Sequence, residues 1–371
     1  MERHVVSPAL GDRTISIDLP ANYDIAHRRY PVLYLLDGDQ QPLLDLAVAA
    51  TRFDFQLDAV DHAIPPHLVV GIEQRDRGVE FGRSATVFLS MLIRDVVGPA
   101  DHDFRTSPMR ILVGHSLAGR FAIDALCRGG RLFTAAVAIS PAIADSADLR
   151  DVIACLKERV RGDSGRLTQL FLSAGNRVKD GTEARFRPYQ LGLRAWLADS
   201  APPSLRWTFL DQPDVSHSQT PLVAIPEALA FVHASSVWEL PPASADSLFA
   251  GRAPPDSILG RFYSTLEHRV GYPVPVDAKW QRIAAVLQAR PGNWDSAIAA
   301  ARRAIAEYPE DLEGYFVCAD VEARSGDRAA AQRTLEAAQS IALRLAGSTS
   351  ARASHIGQVQ RKLRELGKAD S

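Results

Sequence analysis

Residues 110–126 read RILVGHSLAGRFAIDAL, and the texture changes twice within them. Residues 110–113, Arg-Ile-Leu-Val, read as a strand whose apolar run suits cover on both faces. Residues 114–119, Gly-His-Ser-Leu-Ala-Gly, are a tight turn of mostly small residues. From Arg120 to Cys127 the apolar spacing becomes helical. A serine on a strand–turn–helix junction is the arrangement of a nucleophile elbow. Its backbone is strained, and bulky neighbours would clash. Its hydroxyl projects at a helix N-terminus, where free N–H groups and the helix dipole favour negative charge. Ser116 is therefore the candidate nucleophile; the bland alternative is a serine that caps the helix. The usual G-x-S-x-G pattern has a fifth-position glycine where this chain has Ala118, with Gly119 directly after. His115 adjoins the serine, and the turn directs its side chain away from the Ser116 hydroxyl into a packing role.

Outward from this stretch, strands are expected at 13–19, 31–36, 67–72, 133–139, 170–173 and 205–210, with helical patterns such as 87–97 between them. Strands alternating with helices predict an α/β fold with a doubly wound, mostly parallel sheet. This domain is expected to span residues 1–236. The stretch WELPPASADSLFAGRAPPDS, with four prolines, reads as a linker within 237–276, carrying one helix at 257–268. Residues 277–371 read as a small all-helical region. There Gly292 and Gly326, Ala297 and Ala331, and Ala304 and Ala338 are each 34 residues apart, and Pro309 closes the first unit. That period resembles tetratricopeptide repeats; the alternative is an ordinary helical hairpin in an alanine-rich tail.

In such a fold the catalytic order along the chain is Ser, acid, His. His217, in the loop after the last strand, is the candidate base. His233, His268 and His355 lie at a helix end or in the appendage and fit less well. The acid should follow the 170–173 strand, within AGNRVKDGTEARF. Glu183 is the first choice and Asp180 the alternative, with Asp211 and Asp214 behind them. The acid must accept the second N–H of the imidazole and stabilise its cation. Two backbone amides should form an oxyanion hole: Leu117, after the nucleophile, and Asp39, in the LDGDQQ turn that follows the 31–36 strand. Asp37, Gly38 and His115 complete the candidate substrate-binding set.

The 371 residues are 46% hydrophobic with a net charge of -2, an ordinary globular balance that gives no reason to expect nucleic acid or an anionic membrane as partner. No run approaches the ~18 apolar residues of a membrane span, and the N-terminus lacks a secretory pattern. Cys127, Cys155 and Cys318 have neither disulfide-framework nor zinc spacing. They are expected to be reduced and buried, the chain cytoplasmic and the site free of metal.

The segments YPVLYLLDGDQ, HLVVGIEQRDR, ILVGHSLAGRFA, VAISPA, FLSAGN and SHSQTP, in this order and spacing, resemble the "Putative esterase" branch of the α/β-hydrolases. That branch includes siderophore esterases, S-formylglutathione hydrolase and mycolyl transferases. The resemblance implies hydrolysis of a small-molecule carboxylic ester through an acyl-enzyme, without a cofactor. It implies Ser116 as nucleophile, His217 as base and the loop after LLDG as oxyanion donor. Relatives often carry an acid directly after the strand matching FLSAGN, where this chain has Arg177, so the third triad member stays open and a Ser–His dyad is an alternative. The 74–84 loop reads as short, and its Arg75, Arg77 and Arg83 are either solvated or available to an anionic substrate. Acyl transfer to an alcohol would use the same residues. A third reading is a weakly active scaffold whose helical tail binds a protein partner or a second copy of the chain.

Overall fold

The computed structural model describes residues 2–7, 11–52, 64–161, 165–177, 179–290, 292–345, 347 and 349–368. It divides into two compact units: Met1–Pro20 with Arg29–Trp238 and Arg269–Gly271, and Ala21–Arg28 with Glu239–His268 and Tyr272–Ser371.

The first unit is built on one eight-stranded sheet. Its strands are β1 (Glu2–Ser7), β2 (Gly11–Asp18), β3 (Tyr30–Leu36), β4 (Leu68–Ile72), β5 (Thr106–His115), β6 (Ala135–Ile139), β7 (Thr168–Gly175) and β8 (Leu205–Gln212). Their spatial order is β1-β2-β4-β3-β5-β6-β7-β8. β1 and β2 run antiparallel to their neighbours, and β4 through β8 are mutually parallel. The seven expected strands are all present, with ends shifted by a few residues. β1 is an addition at the sheet edge. The central strands are mostly apolar because helices cover both faces. All five residues of β6 and all eight of β7 are buried, and each large apolar side chain so buried stabilises the fold by roughly 1.5–3 kcal/mol.

The helices are α1 (Gln41–Arg52), α2 (Ala85–Met91), α3 (Gly98–Asp103), α4 (Leu117–Arg128), α5 (Ser146–Arg161), α6 (Gly181–Ser200) and α7 (Thr220–Val232), followed by the short α8 (Ser235–Trp238). α4 packs beside α5 and α5 beside α6, whereas α1 packs with α7. The expected helix at 87–97 is interrupted: π-helical turns at Val79–Arg83 and Leu92–Val97 flank α2. Residues 74–84 are therefore not a plain loop. Glu80, in the first π turn, is buried against Arg13 of β2 at 2.9 Å.

The second unit is helical. It contains α9 (Pro242–Phe249), most of α10 (Pro255–Val270), α11 (Ala278–Ala289), α12 (Trp294–Glu307), α13 (Leu312–Arg324), α14 (Arg328–Arg344) and α15 (Thr349–Lys368). The segment read as a linker with one helix thus carries two. Gly292 and Gly326, with φ of 78° and 101°, turn the chain between α11 and α12 and between α13 and α14. Their positive φ is the conformation that glycine adopts without strain. Ala297, Ala304, Ala331 and Ala338 are all buried where neighbouring helices approach. The 34-residue spacing therefore recurs in the helical geometry.

Candidate active site

The parallel strands are in register, so the turns after β3, β5, β6, β7 and β8 open along one edge of the sheet. Ligands of open α/β sheets bind outside such carboxyl ends. Ser116 follows β5 directly and precedes α4, with φ 61° and ψ -118°. Three backbone hydrogen bonds hold it there: its N–H donates to Ile139 O at 2.9 Å, and its carbonyl accepts from Arg120 at 3.0 Å and Ala142 at 3.0 Å. The small neighbours are steric necessities. A Cβ on Gly114 would lie 2.3 Å from Ala118 O, and one on Gly119 would lie 3.0 Å from the carbonyls of Gly114 and Ile139. Ala118, fully buried, fits where the usual pattern has glycine. The Ser116 side chain makes no capping hydrogen bond to α4, so the capping alternative lacks its defining contact.

His217 lies after β8, in a 3-10 turn at His217–Gln219. Its Nδ1 is 2.8 Å from Glu183 Oε1, and Glu183 is only 1% exposed. Asp180 takes a different place. Its carboxylate caps α6 by accepting from Thr182 N and Glu183 N, and it also accepts the His217 backbone N–H at 2.5 Å. Partial burial would raise Asp180, but the amides of His217, Glu183 and Thr182 outweigh it and hold the carboxyl below its ordinary range. One carboxylate thus meets the imidazole and the other its backbone. Asp211 is paired with Arg187 at 2.7 Å, and Asp214 accepts the Arg177 ion pair at 3.6 Å with its side chain 91% exposed. Neither contacts the His217 ring among the described residues. Arg177, the departure in the sequence, also donates from Nε to Asp214 O at 3.1 Å and ties down the loop leading to His217.

Two further residues belong to this constellation. Ser140, buried at the end of β6 with φ 41°, donates its hydroxyl to Glu183 Oε1 and lies 3.3 Å from His217 Nδ1. Gln190 of α6 donates to Ser140 Oγ at 3.4 Å and to Pro141 O at 3.0 Å. A buried serine before a proline reads as a plain strand end, so the VAISPA stretch carried the signal without revealing the role.

His115 and His217 pack together with ring centroids 4.6 Å apart and planes tilted by 41°. His115 Nε2 is 2.9 Å from His217 O, so it donates there as a neutral imidazole. Burial, then the charge of His217, lower His115 to about 4. Its Nε2 is thus engaged with the backbone of His217. No hydrogen bond joins the Ser116 hydroxyl to His217 among the described residues. The packing of His115 nevertheless brings the His217 ring beside the residue preceding the serine.

The turn after β3 presents Asp37, Gly38 and Asp39. Gly38 N donates to Ile72 O at 2.8 Å, and a Cβ on Gly38 would sit 2.3 Å from Ile72 N. Asp37 is buried, and Arg77 ion-pairs with its carboxylate at 2.8 Å. Burial pushes Asp37 up to about 6 against the pull of Arg77. Its carboxylate is therefore engaged by Arg77. Neither Asp39 N nor Leu117 N donates to another described protein group, so both amides are available. Of the three arginines noted above, Arg77 is taken by Asp37, Arg75 pairs with Glu73 at 3.1 Å, and Arg83 is exposed.

No group of three or more His, Cys, Asp or Glu side chains among the described residues is arranged to hold a metal ion. All three cysteines are free; Cys155 and Cys318 are buried, and Cys127 is half-buried.

The family model described as "Putative esterase" matches residues 7–239. No curated protein matches the chain. Among solved structures, an IroE-like serine hydrolase from Shewanella oneidensis is similar at 19% identity and TM-score 0.63, covering 82% of this chain and 98% of its own. An uncharacterised protein from Capnocytophaga ochracea, at 15% identity and TM-score 0.59, covers 97% of this chain and 99% of its own, the helical unit included. The siderophore hydrolase EstB from Aspergillus nidulans, at 18% identity and TM-score 0.53, covers 65% and 96%. The sheet, its helices and the matched span agree on one assignment: the chain belongs to this esterase family of the α/β-hydrolase fold and is a carboxylic-ester hydrolase.

Proposed function

We propose that the chain cleaves a small-molecule ester through an acyl-enzyme on Ser116. His217 Nε2 accepts the Ser116 proton as Oγ attacks the ester carbonyl carbon. The carbonyl oxygen becomes an oxyanion and accepts hydrogen bonds from the amides of Leu117 and Asp39. Collapse of the tetrahedral intermediate breaks the ester C–O bond, and His217 returns the proton to the departing alcohol. Water then attacks the acyl-enzyme by the same route and releases the acid. Throughout, Glu183 accepts the Nδ1–H, fixes the tautomer and stabilises the imidazolium.

The observation that carries this reading is the pairing of a strained, uncapped Ser116 at a helix start with a His217 whose Nδ1 is held by a buried carboxylate. The exposed side chains of Leu117, beside the serine, and of Leu222 and Val223, in the first turn after the His217 loop, supply apolar surface. They favour an apolar acyl or alcohol group. The helical unit, with its 34-residue spacing, is read as a tetratricopeptide-like surface for a protein partner or a second copy.

A fluorophosphonate probe tests the proposal. It is expected to label the wild type and to fail on Ser116→Ala and His217→Ala. Equal labelling of the Ser116→Ala variant would remove Ser116 from the mechanism. A series of 4-nitrophenyl esters of rising chain length then defines the acyl preference.

A further inference from the structure

The segment 74–77 reaches both turns that carry the proposed oxyanion amides. Gln74 Oε1 accepts the Asp37 amide, and the Gln74 amide donates to Asp39 Oδ1 at 3.2 Å. Arg77 goes further. Its Nε is 2.8 Å from Asp37 Oδ1, and its Nη2 donates to Asp37 Oδ2 at 2.9 Å. The same Nη2 donates to the carbonyl oxygen of His115 at 2.9 Å. That carbonyl belongs to the peptide bond entering Ser116, one residue before the Leu117 amide. One planar guanidinium therefore ties the end of β3 to the end of β5. Nη2 alone reaches both turns, and the Nε contact to Asp37 fixes the guanidinium plane; a flexible ammonium has no second arm to set that geometry. The segment is itself anchored from below: the Arg75 amide donates to the Glu80 carboxylate at 3.3 Å, and Glu80 is paired with the buried Arg13.

We propose that Arg77 is a positioning residue for ester hydrolysis, holding the Asp39 and Leu117 amides at the separation an oxyanion requires. The proposal rests on the oxyanion reading given above. Arg77 acts through the two turns and touches no reacting atom. Asp37, held at φ 57°, is its anchor on the β3 side.

The test compares wild type with Arg77→Lys, Arg77→Gln and Arg77→Ala in three measurements: 4-nitrophenyl butyrate hydrolysis, inhibition by an alkyl trifluoromethyl ketone, and thermal unfolding. The ketone forms a hemiketal oxyanion on the serine and so reads the amide geometry directly. The expected result is a kcat loss of about 10–100-fold with KM changed by less than about threefold. Ketone affinity should fall by the same factor as kcat/KM, and ethylguanidinium should restore part of the Arg77→Ala rate. Arg77→Lys keeps the charge beside Asp37 and decides the matter if the alanine variant does not fold. A folded Arg77→Lys with wild-type kcat, or a kcat loss with unchanged ketone affinity, overturns the proposal while leaving the esterase mechanism intact. A wild type that neither hydrolyses esters nor takes up the fluorophosphonate overturns both.

Discussion

Ser140 donates its hydroxyl to Glu183 Oε1, the same oxygen that accepts the Nδ1–H of His217. Glu183 is buried, so each donor it keeps matters more than it would in water. The second donor holds the carboxylate in the plane that the imidazole needs. Ser140→Ala is expected to lower kcat/KM by about 3–30-fold with little change in KM. Loss of a hydrogen bond to a charged, buried group should also lower stability by about 1.5–3 kcal/mol. Steady-state kinetics and urea unfolding check both. Wild-type kinetics in this variant would assign Ser140 to packing alone.

The two candidate acids should separate cleanly on mutation. Glu183→Gln keeps the shape but cannot stabilise the imidazolium, and a kcat loss of about 10³–10⁴-fold is expected. Asp180→Asn keeps much of the helix cap and loses a charged acceptor for the His217 amide, so the loss should stay near tenfold or below. Asp180→Ala removes the cap as well, at about 0.5–2 kcal/mol of stability. If Asp180→Asn proved the more damaging change to kcat, the assignment of the acid would pass from Glu183 to Asp180.

Far from the site, His67 and His233 meet with their Nε2 atoms 2.9 Å apart, His67 buried and His233 half-buried. Burial lowers His67 to about 4 and His233 well below the ordinary histidine range. The unfolded chain binds protons on these groups near pH 6.5, and the folded chain does not. Their contribution is therefore present above pH 6.5 and is lost as pH falls from 6.5 towards 4. The slope is up to about 1.4 kcal/mol per pH unit for each histidine. Urea midpoints at pH 7.5 and 5.0, compared with those of His67→Phe and His233→Leu, measure it. The variants should show the shallower dependence.

Gly38 admits no side chain without displacing backbone, since its Cβ would lie 2.3 Å from Ile72 N. Gly38→Ala is expected to cost about 1–3 kcal/mol and to shift the Asp39 amide. Thermal unfolding and phosphonate labelling should therefore deteriorate together. A variant as stable and as reactive as the wild type would show that the turn can relax.

Most of the sheet was legible because buried parallel strands announce themselves as short apolar runs, as in residues 111–113 and 170–172. β1 escaped because an edge strand pairs on one side only and needs little apolar patterning. The first π turn escaped because it holds Glu80 against Arg13, and the two stand far apart in the sequence. The proposed nucleophile and base, Ser116 and His217, could be read from their positions after strands. The choice between Asp180 and Glu183 was not, because both sit at the start of one helix. The spacing Asp-x-x-Glu is nonetheless that of a capping box. Asp180 satisfies the helix amides, which leaves Glu183 free to turn to the histidine. The Asp37–Arg77 pair spans 40 residues and brings together two loops, which no local pattern encodes.

The backbone at Ser116 has a φ of 61° whether or not an oxygen is attached to Cβ. Only glycine occupies that region without penalty. Replacing the serine by glycine should therefore yield a protein that is catalytically dead yet melts at a higher temperature than its parent. On the mechanism proposed above, the elbow is kept for what it does to an ester, at the expense of the scaffold that carries it.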